Sequence, residues 1–270
     1  MTTIQLPVPT HTLTEPRMSA LLTMRAEWTK LRTLRSTWLT LSIAVVASIA
    51  LGALASASDV RDWATMTEQE RAAYDPTSTS LVGVLFGALV LGALGVRTIT
   101  AEYATGMIRT TAAAIPSRTG IIWSKLAVLS ALTFVVATTA NGVGFLVGQA
   151  MLSREDIDVS ITSPNSIKAI VFGALAVTAF TVIGVGLGTI VRRASVANIL
   201  MALVVIGGSL VGQAIPSASQ RFLPFSALQA TVTVERTDDL LGPLPALGFL
   251  VGYAVIAVAG AMYVVRRRDI

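Results

Sequence analysis

Cysteine is absent from this sequence of 270 residues, and the one histidine, His11, lies in a polar N-terminal segment. Without cysteine the chain can form neither a disulfide nor a thiolate site. We therefore expect no metal site and no catalysis based on histidine or cysteine. The sequence also lacks the G-x-x-x-x-G-K-[ST] loop that cradles nucleotide phosphates, so the chain is not expected to hydrolyse ATP itself.

Charge is scarce as well. Only 13% of the residues are charged, and they are confined to short islands between long apolar runs. The cores of these runs contain no Asp, Glu, Lys, Arg or His. Proton-coupled carriers and voltage sensors need ionisable groups at membrane depth, so the sequence disfavours both classes. A passive pathway, a sodium-coupled carrier built on backbone carbonyls and a membrane subunit driven by a partner remain open.

Hydrophobic residues dominate instead. They make up 53% of the chain, and the mean hydropathy is +0.72, which is typical of a polytopic membrane protein. The formal net charge of +5 could indicate nucleic-acid binding in a soluble chain. Here the basic residues flank the apolar runs, so we attribute them to membrane topology and expect no nucleic-acid partner.

The order of these runs predicts an all-α fold with six transmembrane helices. Residues 1–16 are expected to form a disordered cytoplasmic tail and residues 17–270 the membrane domain. Residues 17–35 predict an interfacial helix on the inner leaflet, with Leu21, Met24, Trp28 and Leu31 along its apolar side. The predicted spans cover about 38–56, 79–96, 121–152, 167–191, 194–215 and 244–265.

The polar interruption from Arg97 to Lys125 predicts a short helix on the cytoplasmic surface that Pro116 ends. Glu102 and Arg109 are seven positions apart and would share one face of this helix. A surface helix attached to a span at each end could transmit force from a partner. A solvated connector is the alternative interpretation of the same pattern. The third run is longer than a bilayer requires, so we expect it to tilt or to protrude on the cytoplasmic side around Lys125.

The distribution of charge predicts the orientation. With both termini in the cytoplasm, the inner segments hold 14 of the 20 basic residues and the outer segments 11 of the 15 acidic ones. This follows the positive-inside rule and supports six spans in the cell membrane.

Small and amide side chains in the runs predict helix packing. The G-x-x-x-G pairs Gly83/Gly87 and Gly208/Gly212 would allow close helix approach, and so would three further pairs, Gly144/Gly148, Gly184/Gly188 and Gly248/Gly252. The amides that we expect to form interhelical hydrogen bonds are those of Asn141, Gln149, Asn198 and Gln213.

Two motifs resemble a known family. Residues 27–38, EWTKLRTLRSTW, are similar to the N-terminal elbow helix of type 2 ABC transporter permeases, especially the actinobacterial group. The polar interruption from Arg97 to Lys125 is similar to the coupling segment of that family. The shared residues are Glu102, Gly106, Pro116, Ser117, Arg118 and Lys125, whereas Met107 stands where many members have Thr.

The resemblance implies the permease subunit of an ATP-driven exporter, with a translocation pathway lined by the second and fifth spans. It implies two cytosolic ABC ATPase subunits and a second permease chain, identical or homologous, as partners, besides membrane lipids. ATP and Mg²⁺ would bind the ATPase partner, and this chain would hold no cofactor. The implied ATPase-coupling surface comprises Glu27, Lys30, Arg32, Glu102, Gly106, Arg109, Pro116 and Arg118. A non-transporting anchor or regulatory subunit is the alternative function, and lipids, hydrophobic drugs and peptides all suit a weakly polar pathway.

Overall fold

A computed structural model describes residues 20–107, 118–211, 214–234 and 240–267. Within these ranges the regular secondary structure is entirely helical, which confirms the all-α prediction. The α-helices are α1 (Ala20–Thr33), α2 (Arg35–Asp62), α3 (Glu68–Ala72), α4 (Pro76–Ser80), α5 (Val84–Ala104), α6 (Arg118–Leu152), α7 (Pro164–Val191), α8 (Ala194–Val211), α9 (Ser217–Gln220), α10 (Pro224–Val232) and α11 (Pro243–Arg267). Single 3₁₀ turns follow α2 at Trp63–Thr65 and α6 at Ser153–Glu155.

Five helical segments in the described ranges are long and apolar enough to cross a membrane. They are Arg35–Thr65, Val84–Ala104, Thr119–Glu155, Pro164–Val191 and Pro243–Arg267. The predicted fifth span, 194–215, corresponds to α8, a shorter apolar helix of 18 residues. Five of the predicted spans therefore coincide with membrane-length helices, whereas the crossing of α8 stays a prediction.

Helices α5 and α7 pack against each other at the centre of the bundle. The contact is close because glycines line it: a Cβ at Gly184 would overlap the carbonyl oxygen of Gly92, and one at Gly95 would overlap that of Thr181. Around this pair lie α2, α6, α8, α10 and α11. Close backbone approach through small residues is the usual way in which helices associate in a lipid environment.

The glycines of the first two G-x-x-x-G pairs, Gly83/Gly87 and Gly208/Gly212, have different surroundings. Gly83 lies against the backbone carbonyl of Ser48, and a Cβ at Gly87 would be 3.3 Å from the Ser48 hydroxyl. Gly208 lies on α8, where a Cβ would be 2.8 Å from the Cβ of Phe225. Gly212 lies outside the described residues.

The other three pairs also differ among themselves. Gly184 and Gly188 line the contact between α7 and α5, and Gly148 lies against Ser80. No described atom lies within 4 Å of a Cβ built at Gly248 or Gly252. The G-x-x-x-G pattern therefore identifies helix contacts within the described part of the chain at several positions but not on α11.

Short helices close the end of the bundle opposite α1. Thr67 caps α3 in a capping box with Glu70, as the spacing of these two residues indicates. The Asp75 carboxylate caps α4 through the Thr77 and Ser78 backbone N–H groups, and its other oxygen accepts a 2.7 Å hydrogen bond from the Val234 backbone N–H, just after α10. This carboxylate therefore joins two elements that are far apart in the sequence.

Two of the four amides form the expected hydrogen bonds between elements. The Asn141 side chain on α6 donates to the Ile170 carbonyl on α7, at 3.2 Å. The Gln149 side chain donates to Pro76 and Ser80 and accepts from the Val159 backbone N–H. Asn198 is instead exposed, and Gln213 lies outside the described residues.

Candidate functional site

Helix α1 buries a largely polar face, which includes one member of its predicted apolar side, Leu31. The buried residues are Thr23, Glu27 and Leu31, whereas Leu21 is 71% exposed and Trp28 40%. Leu21 and Trp28 therefore face outward, whereas Leu31 and the Glu27 carboxylate face the bundle. The reason is that an exposed apolar side chain costs nothing where the surroundings are lipid, while ion pairs between helices satisfy the buried charges.

The predicted surface helix does not begin at Arg97. Residues 97–104 continue α5 without a break, so Glu102 is on the helix of the second span. Its side chain is buried, and the residue is 3% exposed. The helix ends at Ala104 with Thr105 as its C-cap, and Gly106 follows with a φ of +71°, a left-handed conformation that glycine adopts without strain. Residues 108–117, including Arg109 and Pro116, lie outside the described residues.

Four charged side chains meet where α1, α5 and α6 converge. The Lys125 ammonium on α6 donates to Glu27 Oε2 at 2.6 Å and to Glu102 Oε1 at 2.9 Å. The Lys30 ammonium donates to Glu27 Oε1 at 2.6 Å and to the same Glu102 Oε1 at 2.9 Å. These four residues, Glu27, Lys30, Glu102 and Lys125, are called the ion cluster below. Two lysines and two glutamates give it no net charge.

The burial of Lys125 differs from the exposure that is usual for a lysine. Its side chain is 4% exposed, as are those of both glutamates, and only the Lys30 side chain is partly open, at 29%. Ion pairing explains the difference, because a buried ammonium is tolerated where carboxylates neutralise it and accept its hydrogen bonds. Glu102 Oε2 is buried with no hydrogen-bond partner in the described part of the chain.

The pKa values on α1 change in the directions that a stable ion cluster requires. Burial of the Glu27 carboxyl opposes its ionisation, but the charges and hydrogen bonds of Lys125 and Lys30 outweigh this, and the pKa of Glu27 is lowered. Burial likewise opposes protonation of Lys30, but its hydrogen bonds to Glu27 and Glu102 outweigh this and raise its pKa. Both groups are therefore charged at neutral pH.

The ion cluster connects three helices that the sequence separates. Glu102 precedes the end of α5 by two residues, and Lys125 is in the second turn of α6, so the two residues flank residues 105–117, which connect these helices and are called the loop below only as a name for that range. Both bind Glu27 or Lys30 on α1. Removing one partner from such a buried pair generally costs about 3–5 kcal/mol, because the other charge is left uncompensated. The cluster therefore holds α1 against the two helix ends from which the loop emerges.

The remaining predicted coupling residues lie around the cluster. Arg32 is exposed on α1, and its carbonyl accepts a hydrogen bond from the Trp38 indole at 3.0 Å. Arg118 is the first residue of α6. Whether these residues contact an ATPase stays a prediction.

One contact at this end was not apparent from the sequence. Arg192 follows α7 with a φ of +59°, and its guanidinium stacks on the Tyr103 ring at 4.9 Å from the ring centre. The contact joins the α7–α8 hairpin to the end of α5, beside Glu102. The sequence shows only the adjacent arginines Arg192 and Arg193 at this point. The positive-inside rule already accounts for basic residues between two spans, so the pair did not indicate a contact with Tyr103.

Comparison with known proteins agrees with this architecture. Residues 23–208, more than half of the chain, match the family described as ABC-2 family transporter protein. The match extends from α1 into α8 and includes the whole ion cluster. No curated protein matches the chain. Its five membrane-length helices and this family match identify the chain as a transmembrane permease of the ABC-2 transporter family.

Proposed function

We propose that this chain is the permease subunit of an ATP-driven exporter. It would form the translocation pathway together with a second permease chain, identical or homologous, and two cytosolic ABC ATPase subunits would drive it. Membership of the ABC-2 family supports the permease role. The ion cluster is the observation that carries the coupling part of the proposal, because it fixes α1 to both helix ends that flank the loop of residues 105–117.

In this proposal α8 is the fifth of six spans and both termini are cytoplasmic. A helix of 18 residues is about 27 Å long, which is close to the thickness of the hydrocarbon core. Counting α8 as a span places α1, the loop of residues 105–117, the α7–α8 hairpin and the end of α11 on one side of the membrane. These segments carry most of the basic residues, as the positive-inside rule requires.

Force from the ATPases would enter at the loop of residues 105–117. Glu102 and Lys125 are close to its two ends, and each binds α1 through the ion cluster. A displacement of the loop would therefore move α1, the end of α5 and the start of α6 as one unit. Helix α5 packs on α7 over its length, so the movement would reach the centre of the bundle. The cluster acts here as a mechanical connection and has no catalytic role.

The pathway itself would lie at the surface of α8 and α5. Helix α8 exposes Val196, Ile199, Leu203 and Leu210, which follow one another at helical spacing. This face is apolar throughout, so it suits a hydrophobic or amphipathic substrate such as a lipid, a hydrophobic drug or a peptide.

The energy source provides the test. The purified chain should not hydrolyse ATP, and in liposomes it should not accumulate substrate in response to a proton or sodium gradient. Adding its ATPase partner should produce ATP-dependent export, whereas a partner with a substituted phosphate-loop lysine should not. Uptake driven by a gradient in the absence of the partner would contradict the proposal and favour a secondary carrier.

A further inference from the structure

A cavity of about 360 Å³ lies between α1, the start of α2 and the end of α5. Its volume is in the range of small-ligand pockets and is large enough for a lipid headgroup. The ion cluster lies in its wall, and Arg97 lines it as well. We propose that this cavity binds the phosphate headgroup of an anionic phospholipid from the adjacent leaflet.

The charge of the wall favours an anion. The lysines and glutamates of the ion cluster neutralise one another through the hydrogen bonds described above. Arg97 adds one positive charge, and it forms no ion pair with any residue that the structure describes. A guanidinium can bind a phosphate through two parallel hydrogen bonds. The cavity therefore has one cation in excess.

The start of α2 supplies further donors. Leu34 precedes this helix of 28 residues and provides no side-chain cap, so the Arg35 and Ser36 backbone N–H groups have no partner within the helix. Such an end favours negative charge. A second, independent group lies beside it: the Thr37 side chain lines the cavity, the residue is 5% exposed, and its hydroxyl forms no hydrogen bond to a described residue.

The surroundings of the cavity favour a lipid over a soluble anion. Leu34 and Leu94 contribute apolar wall, and Leu34 is itself 54% exposed. Trp38 and Leu39 follow on α2 and are 49% and 63% exposed. Tryptophan at this position is typical of the membrane interface. A headgroup in the cavity would thus continue into acyl chains along an apolar surface, where a free phosphate ion would be poorly solvated.

The site can be tested on the full chain without an ATPase, so its outcome is independent of the exporter proposal. The purified protein in detergent is titrated with phosphatidylglycerol or with phosphatidylcholine of the same acyl chains, and bound lipid is counted by native mass spectrometry. We expect preferential binding of phosphatidylglycerol that an excess of inorganic phosphate does not displace.

Variants locate the site. Arg97→Gln should weaken phosphatidylglycerol binding by about tenfold or more, as expected for loss of a hydrogen bond to a charged group. Ala101→Trp should weaken it similarly, because Ala101 lines the cavity and the larger side chain fills it without changing the charge. The matched control is Arg25→Gln, which removes an exposed cation on α1 that does not line the cavity.

Three results would overturn the proposal. Equal binding of the two lipids would show that charge does not select the ligand. Displacement by inorganic phosphate would indicate a site for soluble anions. Unchanged binding in folded Ala101→Trp would place the lipid outside the cavity, and thermal unfolding of each variant establishes that it is folded.

Discussion

Glu27 and Lys125 are 98 positions apart in the sequence, yet the Lys125 ammonium lies 2.6 Å from the Glu27 carboxylate, and both side chains are 4% exposed. The pair joins the N-terminal helix to the third predicted span. The two charges are buried together with Lys30 and Glu102. Comparison of single and double substitutions at these positions therefore measures how strongly the charges interact.

The first prediction concerns the stability of the ion cluster. Lys125→Met should lower the free energy of unfolding by about 3–5 kcal/mol, because it leaves two buried carboxylates with one ammonium. Thermal unfolding in detergent, followed by tryptophan fluorescence, measures the effect. Adding Glu27→Gln should recover part of the loss, since the second change removes the uncompensated charge. Lys168→Met, at an exposed lysine, is the control. Additive effects of the two cluster substitutions would contradict the pairing.

The second prediction concerns pH. The folded-state pKa of Glu27 is below its ordinary value of 4.5, so its stabilising contribution is full above pH 4.5 and is lost as the pH falls through the folded pKa. The folded-state pKa of Lys30 is above 10.5, so its contribution is full below pH 10.5 and is lost as the pH rises through the folded value.

Between these limits the two groups should add no pH dependence. Thermal unfolding of the wild type and of Glu27→Gln is measured over the same pH series. The difference between the two proteins gives the contribution of Glu27 at low pH, because the other carboxylates titrate in both. The stability advantage of the wild type should shrink below pH 4.5. An advantage that stays constant down to the acid limit would contradict the ionised Glu27.

The third prediction concerns topology, and the absence of cysteine makes it direct to test. Single cysteines replace Ala194, which begins α8, and Ser219, which follows it on α9; both residues are at the ends of the apolar run. A membrane-impermeant thiol reagent applied to intact cells should label position 219 and spare position 194. Ser58→Cys, near the end of α2, and Thr105→Cys, just after α5, are the controls for the two sides of the membrane, and we expect labelling at 58 alone. Equal labelling at 194 and 219 would show that α8 does not cross.

The fourth prediction separates coupling from stability. Arg109→Glu should leave the protein inserted and stable, because this position lies in the polar segment between α5 and α6, yet it should reduce ATP-dependent export and the response of the ATPase. Charge reversal there would repel a partner that binds a basic loop. Arg61→Glu, at an exposed residue near the opposite end of α2, serves as the control. Unchanged export and ATPase binding would contradict the coupling role of the loop.

Glu102→Ala needs a different interpretation from Arg109→Glu. Glu102 is buried in the ion cluster, so its truncation should destabilise the chain as well as affect coupling. Glu102→Gln keeps the volume of the side chain and allows the loss of charge to be measured in a protein that is more nearly intact.

The sequence by itself determined the all-α class, the membrane setting, the family motifs and five of the six predicted spans, which coincide with membrane-length helices in the described residues. These follow from the length and composition of continuous segments, which the chain carries locally. The capping box of Thr67 and Glu70 and the interhelical hydrogen bonds of Asn141 and Gln149 were also accessible, because a polar group in an apolar segment must find a partner.

Only the tertiary structure decided which face of α1 is buried and where Glu102 and Lys125 lie. The pattern of α1 predicted an interfacial helix with Leu21 and Trp28 on its apolar side, and both residues are exposed, but it gave no sign that Glu27 would be buried. In water the hydrophobic effect would select the apolar face, whereas in lipid it does not distinguish the two, and ion pairs between distant residues decide the orientation. Partners that are 98 positions apart leave no periodic trace in the sequence, so their pairing depends on how the helices pack.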